Sequence, residues 1–382
     1  MKYHKTRIYS IAFGGDGVGK VDGKVCFVKY ALPEEEVVFK VENETSSYIK
    51  GVVSELLTAS PDRVKTACRY YGACGGCQYQ HLAYEKEIIY KKMQSEDLMR
   101  RFGGLQDFSS NIIASEDHYH YRGNITLHKG DQGYGFYLPK SNRIVPIEEC
   151  AISSKEINKV LVELGKSGPE DQVTLKQDHK GKVWRSDMAG ENFFTDVYAG
   201  KAIVFSPRIF SQCNRYIALK MAEELNLWLG DIDKNAVFFD LYCGAGFFSF
   251  LVPDYPLKIG LDHERISIEC AKKTVKNNNL KNYRFYQGDV AQSFKGIFDT
   301  NKRDKNILLV DPPRQGLNRH FIGWLKEVKD IEAVYYISCD PSKLARDIKY
   351  LCTNGRWALK RFKIFDMFPR TYHMECLAEL KE

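Results

Sequence analysis

The chain reads as an α/β protein in three parts: a small β-barrel, a β-rich middle, and an open, mostly parallel α/β sheet. Three patterns predict this. Short alternating strands run from Lys5 to Leu57, further alternating strands from His120 to about Val204, and from Ser206 onward helices alternate with short apolar strands. The expected domains are residues 1–58, 59–205 and 206–382. A chain of 382 residues can bury two or three separate cores, and 44% hydrophobic with 27% charged residues excludes a long disordered tract.

In the first part RIYSIAF, KVCFVKY, EEVVFKVE and YIKGVVSELL are broken by the turns GGDGVGK, VDGK and ALPEE. That size suits a five-stranded oligonucleotide-binding barrel or a plain SH3-like one. Ser60–Pro61 ends it, and the cysteine-rich CRYYGACGGCQYQH follows. A helix is predicted from Tyr84 to about Phe102, with Ile88, Ile89, Met93 and Leu98 as an apolar stripe facing the core. In the middle part YRGNITLHK, GYGFYLP, RIVPI and KVWRSD alternate between turns, and SSKEINKVLVELGK is one helix. In the last part the helices NRYIALKMAEELNLWL, ISIECAKKTVKNNN and SKLARDIKYLC alternate with strands ending in DLYCGAG, GLDHER, QGDV, VDPPR and ISCD. Such a sheet binds ligands at the carboxyl ends of its strands.

The N-terminus lacks the apolar core of a signal peptide, and the most apolar run, Val237 to Val252, is interrupted by Asp240, Gly244 and Gly246. A cytoplasmic protein with no membrane partner is therefore expected. There, disulfides do not form, so clustered cysteines point to metal ligation or catalysis and scattered ones to small buried side chains. Cys26, Cys213, Cys243, Cys270, Cys352 and Cys376 take the second reading. Cys68, Cys74 and Cys77, spaced Cys-x5-Cys-x2-Cys, with Cys150 of EECAIS as a distant fourth, can hold either a 4Fe-4S cluster or tetrahedral zinc. A net charge of +7 favours an anionic partner such as nucleic acid. Charge concentrates between Asp340 and Arg370, where eight basic residues face three acidic ones.

The strand ends carry the chemistry. In DLYCGAG, Gly244 and Gly246 let backbone approach a nucleotide-like ligand closely. Asp262 ends the next strand, where a carboxylate can accept hydrogen bonds from both hydroxyls of a ribose. Asp289 of GDV and Asp311 of DPPR end two more strands, and no phosphate-binding helix entry accompanies them.

In order and spacing, FSQCN, DLYCGAG, DPPRQGL, ISCDP and FPRTYHME resemble the RNA uridine-5-methyltransferases. The N-terminal segment resembles a TRAM domain, and CGGC with EECAIS resembles the iron–sulfur site of that family's cluster-containing branch. The resemblance implies a Rossmann-like class I methyltransferase domain, S-adenosylmethionine and a 4Fe-4S cluster held by Cys68, Cys74, Cys77 and Cys150. It implies Cys339 as the nucleophile that attacks carbon 6 of uracil and Glu375 as the base that removes the carbon 5 proton. Gln212, Tyr242, Phe247, Asp262, Asp289 and Asp311 would meet the cofactor. Carbon 5 is a poor nucleophile until addition at carbon 6 makes the ring an enolate, which is why a thiol is wanted.

The implied partner is RNA, ribosomal first and transfer RNA second, bound by a monomer. Tyr70, Tyr71, Tyr79, Phe136 and Tyr137 are candidate stacking platforms and Arg122 a candidate phosphate contact. The chain departs from the family pattern at Phe247, where a polar residue is usual, at Asp340, where asparagine is, and at PEE in the first part. A carboxylate at Asp340 is expected to raise the Cys339 pKa. Two rivals are an RNA N-methyltransferase, which needs no nucleophilic cysteine, and a non-catalytic RNA-binding iron–sulfur protein.

Overall fold

The structure, a computed structural model, describes residues 1–139, 141–164, 170–189, 193–353 and 355–382. Strands β1 (Tyr3–Ile11), β2 (Gly17–Val21), β3 (Lys24–Lys29), β4 (Glu36–Glu44) and β5 (Tyr48–Thr58) close into a barrel in the order β1-β2-β3-β5-β4. Alternation sends Ile8, Cys26, Val28, Val37, Phe39 and Ile49 inward, and the parallel β3–β5 pair closes the ring and removes its edges. Where the chain leaves the barrel, the buried Glu35 accepts from the Leu32 and Ser60 amides and pairs with Arg63. That carboxylate fixes the exit.

Helix α1 (Tyr84–Gly103) follows. Its buried face is not the predicted stripe: Ile89 and Met93 are 48% and 54% exposed, while Glu87, Lys91, Gln94, Ser95 and Met99 are buried. Polar groups can occupy that face because each meets a partner. Lys91 Nζ lies 2.8 Å from Glu87 and 2.6 Å from Asp366, and also donates to the Phe368 carbonyl. Gln94 donates to the Ile11 and Ala12 carbonyls. A hydrophobic pattern could not reveal a face built this way.

The middle of the chain forms β7 (Asn124–Gly130), β8 (Gly133–Tyr137), β9 (Ile144–Pro146), α2 (Lys155–Leu164), β10 (Gln172–Gln177) and β11 (Val183–Arg185), with sheet order β11-β10-β7-β8-β9. Ile157 and Leu161 of α2 pack on Ile125, Leu127, Val173 and Leu175 beneath it. A hairpin of β12 (Phe194–Tyr198) and β13 (Lys201–Phe205) leads onward.

The last part comprises α3 (Arg215–Leu229), β14 (Val237–Leu241), α4 (Phe247–Leu251), β15 (Leu257–Asp262), α5 (Arg265–Asn277), β16 (Tyr283–Gln287), α6 (Val290–Asn301) and β17 (Asn306–Val310). It ends with α7 (Arg319–Glu327), β18 (Ile331–Ser338), α8 (Pro341–Cys352), β19 (Ala358–Phe365) and β20 (Glu375–Lys381). The sheet order is β16-β15-β14-β17-β18-β20-β19-β6, where β6 (Asn111–Ile113) comes from the segment just after α1 and runs parallel to β19. β14 and β17 are buried along their whole length, as central parallel strands are. The order reverses between β14 and β17, and there the sheet opens a crevice. β20 inserts antiparallel between β18 and β19 and carries the chain's last acidic motif back to that crevice.

Replacing Lys91 by alanine strands the buried Glu87 and Asp366 carboxylates and is expected to cost about 3–5 kcal/mol of stability, measured by urea unfolding. Met93→Ala, on the exposed face, should stay within about 0.5 kcal/mol. Equal effects of the two would refute the polar face.

Candidate active site

A cavity of about 1520 Å³ lies over the carboxyl ends of β14, β15, β17 and β18. Its floor is the turn after β14. Tyr242, Gly244 and Gly246 have φ values of +63°, +53° and +81°, and a Cβ on Gly246 would stand 2.8 Å from the Phe250 ring. This left-handed path keeps the backbone low, which glycine permits and Tyr242 adopts at some strain. Asp262, at the end of β15, accepts from the Gly244 amide at 2.9 Å and the Glu264 amide at 2.8 Å. Its position is thereby set beside the cavity that Tyr242, Gln212, Asp289 and Asp311 also line. Asp289 is exposed and caps α6 by accepting from the Gln292 amide.

Phe247 does not join them. It is buried at the start of α4, edge-on to Tyr198 and Phe248, and does not line the cavity. Behind the floor, buried Asp240 accepts from the amide and hydroxyl of Ser249 and is pushed up to about 7 by burial. Burial and the neighbouring Asp240 and Asp262 push Asp311 up to about 8.

Cys339 and Glu375 line the same cavity. Ser338 and Cys376 are cross-strand partners of β18 and β20, so the next residues outward, Cys339 and Glu375, leave adjacent strands side by side. Burial pushes the Cys339 thiol up to about 12, with Glu375 and Asp311 adding to the shift and Arg314 opposing it. Asp340 contributes least of these, because its carboxylate caps α8 through the Ser342 and Lys343 amides. Burial, then Asp311, holds the Glu375 carboxyl well above the usual range, again against Arg314. Glu375 Oε2 is buried with no hydrogen-bond partner among the described residues. His373, lowered to about 4 chiefly by burial, is neutral near pH 7 and accepts from Arg314 at 3.4 Å. The site thus pairs a protonated thiol with a carboxyl able to hold a proton.

Sequence reading missed what holds the DPPRQGL loop. Gly316 has φ +80°, and a Cβ there would come within 2.5 Å of Asp347. Buried Asp347 accepts from the Leu317 amide, the Tyr336 hydroxyl and Arg346 Nε, each at 2.8 Å. The glycine was the one signal in the sequence. The basic run from Asp340 to Arg370 is largely consumed in ion pairs: Arg346 with Asp347, Arg356 with Glu382, Arg361 with Glu379, Lys363 with Glu224 and Arg370 with Glu87. It is mostly internal scaffolding.

Cys68, Cys74, Cys77 and Cys150 line a second cavity of about 240 Å³, with Phe136, Ile147 and Ile152 among its apolar walls. All eleven cysteines are free. Among the described residues no group of three or more His, Cys, Asp or Glu side chains is disposed to hold a metal ion. Burial pushes the Cys74 thiol up to about 11, and Cys150 and Cys68 raise it further. Arg122 lines both cavities. Its amide donates to Ile152 O, beside Cys150, and the Gly123 amide donates to Cys213 O, beside Gln212. On the other side, the Gln78 and Tyr79 amides, next to Cys77, donate to Arg370 O. Tyr79 is fully buried and so cannot stack on a base, whereas Tyr137 is 44% exposed.

The family model described as tRNA (Uracil-5-)-methyltransferase matches residues 197–382, and the TRAM domain model matches residues 8–53. An uncharacterized RNA methyltransferase of Aquifex aeolicus is 31% identical, covering 99% of this chain and 98% of that one. The 23S rRNA (uracil(1939)-C(5))-methyltransferase RlmD of Vibrio parahaemolyticus is 28% identical, covering 99% and 95%. Among solved structures, the Pyrococcus abyssi tRNA (uracil-54, C5)-methyltransferase in complex with S-adenosyl-L-homocysteine superposes with a TM-score of 0.75 at 23% identity, covering 99% of this chain and 100% of that one. That likeness is one of fold.

Alkylation of Cys339 by iodoacetamide, followed by mass spectrometry of its peptide, should be slow at pH 7 and rise with pH toward about 12. Glu375→Gln removes a carboxylate that raises the thiol pKa, so the profile should move to lower pH. A profile unmoved by this change would contradict the described coupling.

Proposed function

The chain belongs to the RNA (uracil-5-)-methyltransferases and is an S-adenosylmethionine-dependent enzyme of that family, and on that footing we propose that it methylates carbon 5 of a uridine through a covalent adduct of Cys339. The observation that carries the reading is the pairing of Cys339 and Glu375 where β18 and β20 adjoin, in a cavity also lined by the strand-end carboxylates Asp262 and Asp311. A cavity of about 1520 Å³ has room for two ligands. Asp262 can accept from ribose hydroxyls, and Tyr242, Gln212, Asp289 and Asp311 surround the same space. Bound S-adenosylmethionine supplies a methyl group and a positive sulfonium there.

The chain's own residues account for the remaining steps. Cys339 Sγ would lose its proton to solvent water and bond to carbon 6, while the carbon 5–carbon 6 electron pair moves onto the carbonyl oxygen at carbon 4. Arg314 is the cation that favours the thiolate. The electron-rich carbon 5 takes the methyl group as the methyl–sulfur bond breaks. Glu375, ionised when the charge of Arg314 and of the bound cofactor offsets Asp311, would then take the carbon 5 proton. The electron pair of that bond re-forms the ring double bond as the bond from Cys339 to carbon 6 breaks, and the product uracil leaves with Cys339 as thiolate. A carboxyl raised by burial is a stronger base than an exposed one, which suits this step. Gln212, on the loop before α3, lines the same cavity and would contact both ligands.

Ribosomal RNA is the favoured substrate, with transfer RNA second; the full-length likeness to a ribosomal RNA enzyme supports that order. Cys68, Cys74, Cys77 and Cys150 would hold a 4Fe-4S cluster. That the four cysteines line one cavity supports a shared group there, and the resemblance of CGGC with EECAIS to the cluster-containing branch favours iron–sulfur over zinc. The methyl transfer needs no electron, so the cluster's part is structural. It would brace the approach to Glu375, where the Gln78 and Tyr79 amides after Cys77 donate to the Arg370 carbonyl, and less directly the loop at Gln212, reached through Arg122 and Gly123.

RNA containing 5-fluorouridine, with S-adenosylmethionine, should trap a covalent complex that Cys339→Ala abolishes. Normal methylation by Cys339→Ala would instead indicate a nitrogen methyltransferase. With ordinary RNA, Glu375→Gln should retain adduct formation while turnover falls by about 10²–10⁴-fold, seen as a complex that persists in denaturing gels. Anaerobically purified protein should be brown and contain iron and sulfide, and stoichiometric zinc in their place would remove the cluster from this account.

A further inference from the structure

The rim of the catalytic cavity holds cationic and aromatic groups that the chemistry above leaves unused. Resting on the reading as an RNA methyltransferase, we propose that Arg319, Lys343 and Tyr350 grip the single-stranded nucleotide adjoining the target uridine, its base on Tyr350 and its phosphates between Arg319 and Lys343.

Three observations carry this. Tyr350 lies in the last turn of α8, is 41% exposed and lines the cavity mouth. The Arg319 guanidinium lies 5.7 Å from the centre of its ring, which sets a cation and a stacking surface together at the opening. Lys343 lies seven residues earlier, two turns along α8, and its Cβ is 3.3 Å from where a Cβ on Gly316 would stand, so it borders the same loop.

Charge supports the assignment. Among the described residues neither Arg319 nor Lys343 takes part in an ion pair, while the nearby Arg346 is committed to Asp347. The closest acid in sequence to Lys343, Asp340, already accepts from the Ser342 hydroxyl and two amides of α8. Arg319 at the cavity and Lys343 beside its Gly316 loop, neither in an ion pair among the described residues, attract a polyanion. The half-exposed Tyr350 ring beside Arg319 accepts any base. Arg319 opens α7, and the loop leading into that helix is held by Gly316 and Asp347, so little ordering remains to be done on binding. A contact of this kind adds affinity and orients the strand without reading its sequence.

Two measurements on the full-length protein with its metal content intact test it. With large-subunit ribosomal RNA from a strain lacking the enzyme, Tyr350→Ala should raise KM about tenfold while kcat and S-adenosylhomocysteine affinity hold, and Tyr350→Phe should restore KM. With a fluorescent oligouridine, Arg319→Ala and Lys343→Ala should each lower the slope of log affinity against log salt by about 0.7. Wild-type methylation of uridine together with unchanged KM and salt slope in all three alanine variants overturns the surface and leaves the proposed activity standing. Reduced oligouridine binding by the variants, in a protein that methylates no uridine, sustains the surface and overturns the activity.

Discussion

The structure turns on one buried cation. Lys91 lies between the carboxylates of Glu87 and Asp366, and Arg370 closes the group by pairing with Glu87 and donating to the Leu82 carbonyl. Burial pushes Glu87 up toward about 7 against the pull of Lys91. Charges taken out of water tolerate few arrangements, so the stretch from Asp366 to Arg370 is held in one path between β19 and β20. The Arg370 carbonyl also receives the two amides that follow Cys77. Helix α1, the cysteine-rich loop and the approach to Glu375 thus share a single anchor, and motifs nearly 300 residues apart are brought to one site.

The same economy of charge divides the catalytic cavity. Asp240, Asp262, Asp289 and Asp311 stand at the ends of neighbouring elements, and their proximity together with burial raises Asp240 and Asp311. The effect reaches Cys339, whose thiol stays protonated and therefore weakly reactive until a cation or a substrate changes its surroundings. Arg314 is placed to begin that change, since it opposes the shift of both Cys339 and Glu375. The carboxylates suit a cationic ligand with ribose hydroxyls, and the arginines at the rim suit a polyanion.

Much of this was legible before any coordinates. The barrel alternates strictly, and β14, β15, β17 and β18 end in the motifs that line the cavity, because a parallel sheet must place its strand-to-helix turns on one edge. The failures have a common origin. Ile89 and Met93 looked like core because pattern reading scores side chains by polarity, yet α1 buries charged residues that find partners far along the chain. Phe247 looked like a cofactor contact from its place after GAG, but the turn directs it to Tyr198. The basic run near the C-terminus could be read from its charge as a nucleic-acid contact or a solvated face, and most of it is instead paired internally.

By itself the sequence determined which strand ends bear the candidate residues, because that depends on local periodicity and on turn residues that act over a few positions. Only the tertiary structure decided that β6 joins the far edge of the last sheet, that β20 sets Glu375 beside Cys339, and that Asp347 holds the loop leading to Arg319. Each of those rests on pairing between distant segments, whose energy comes from desolvation and hydrogen bonding at the point of contact and leaves no local trace in the chain.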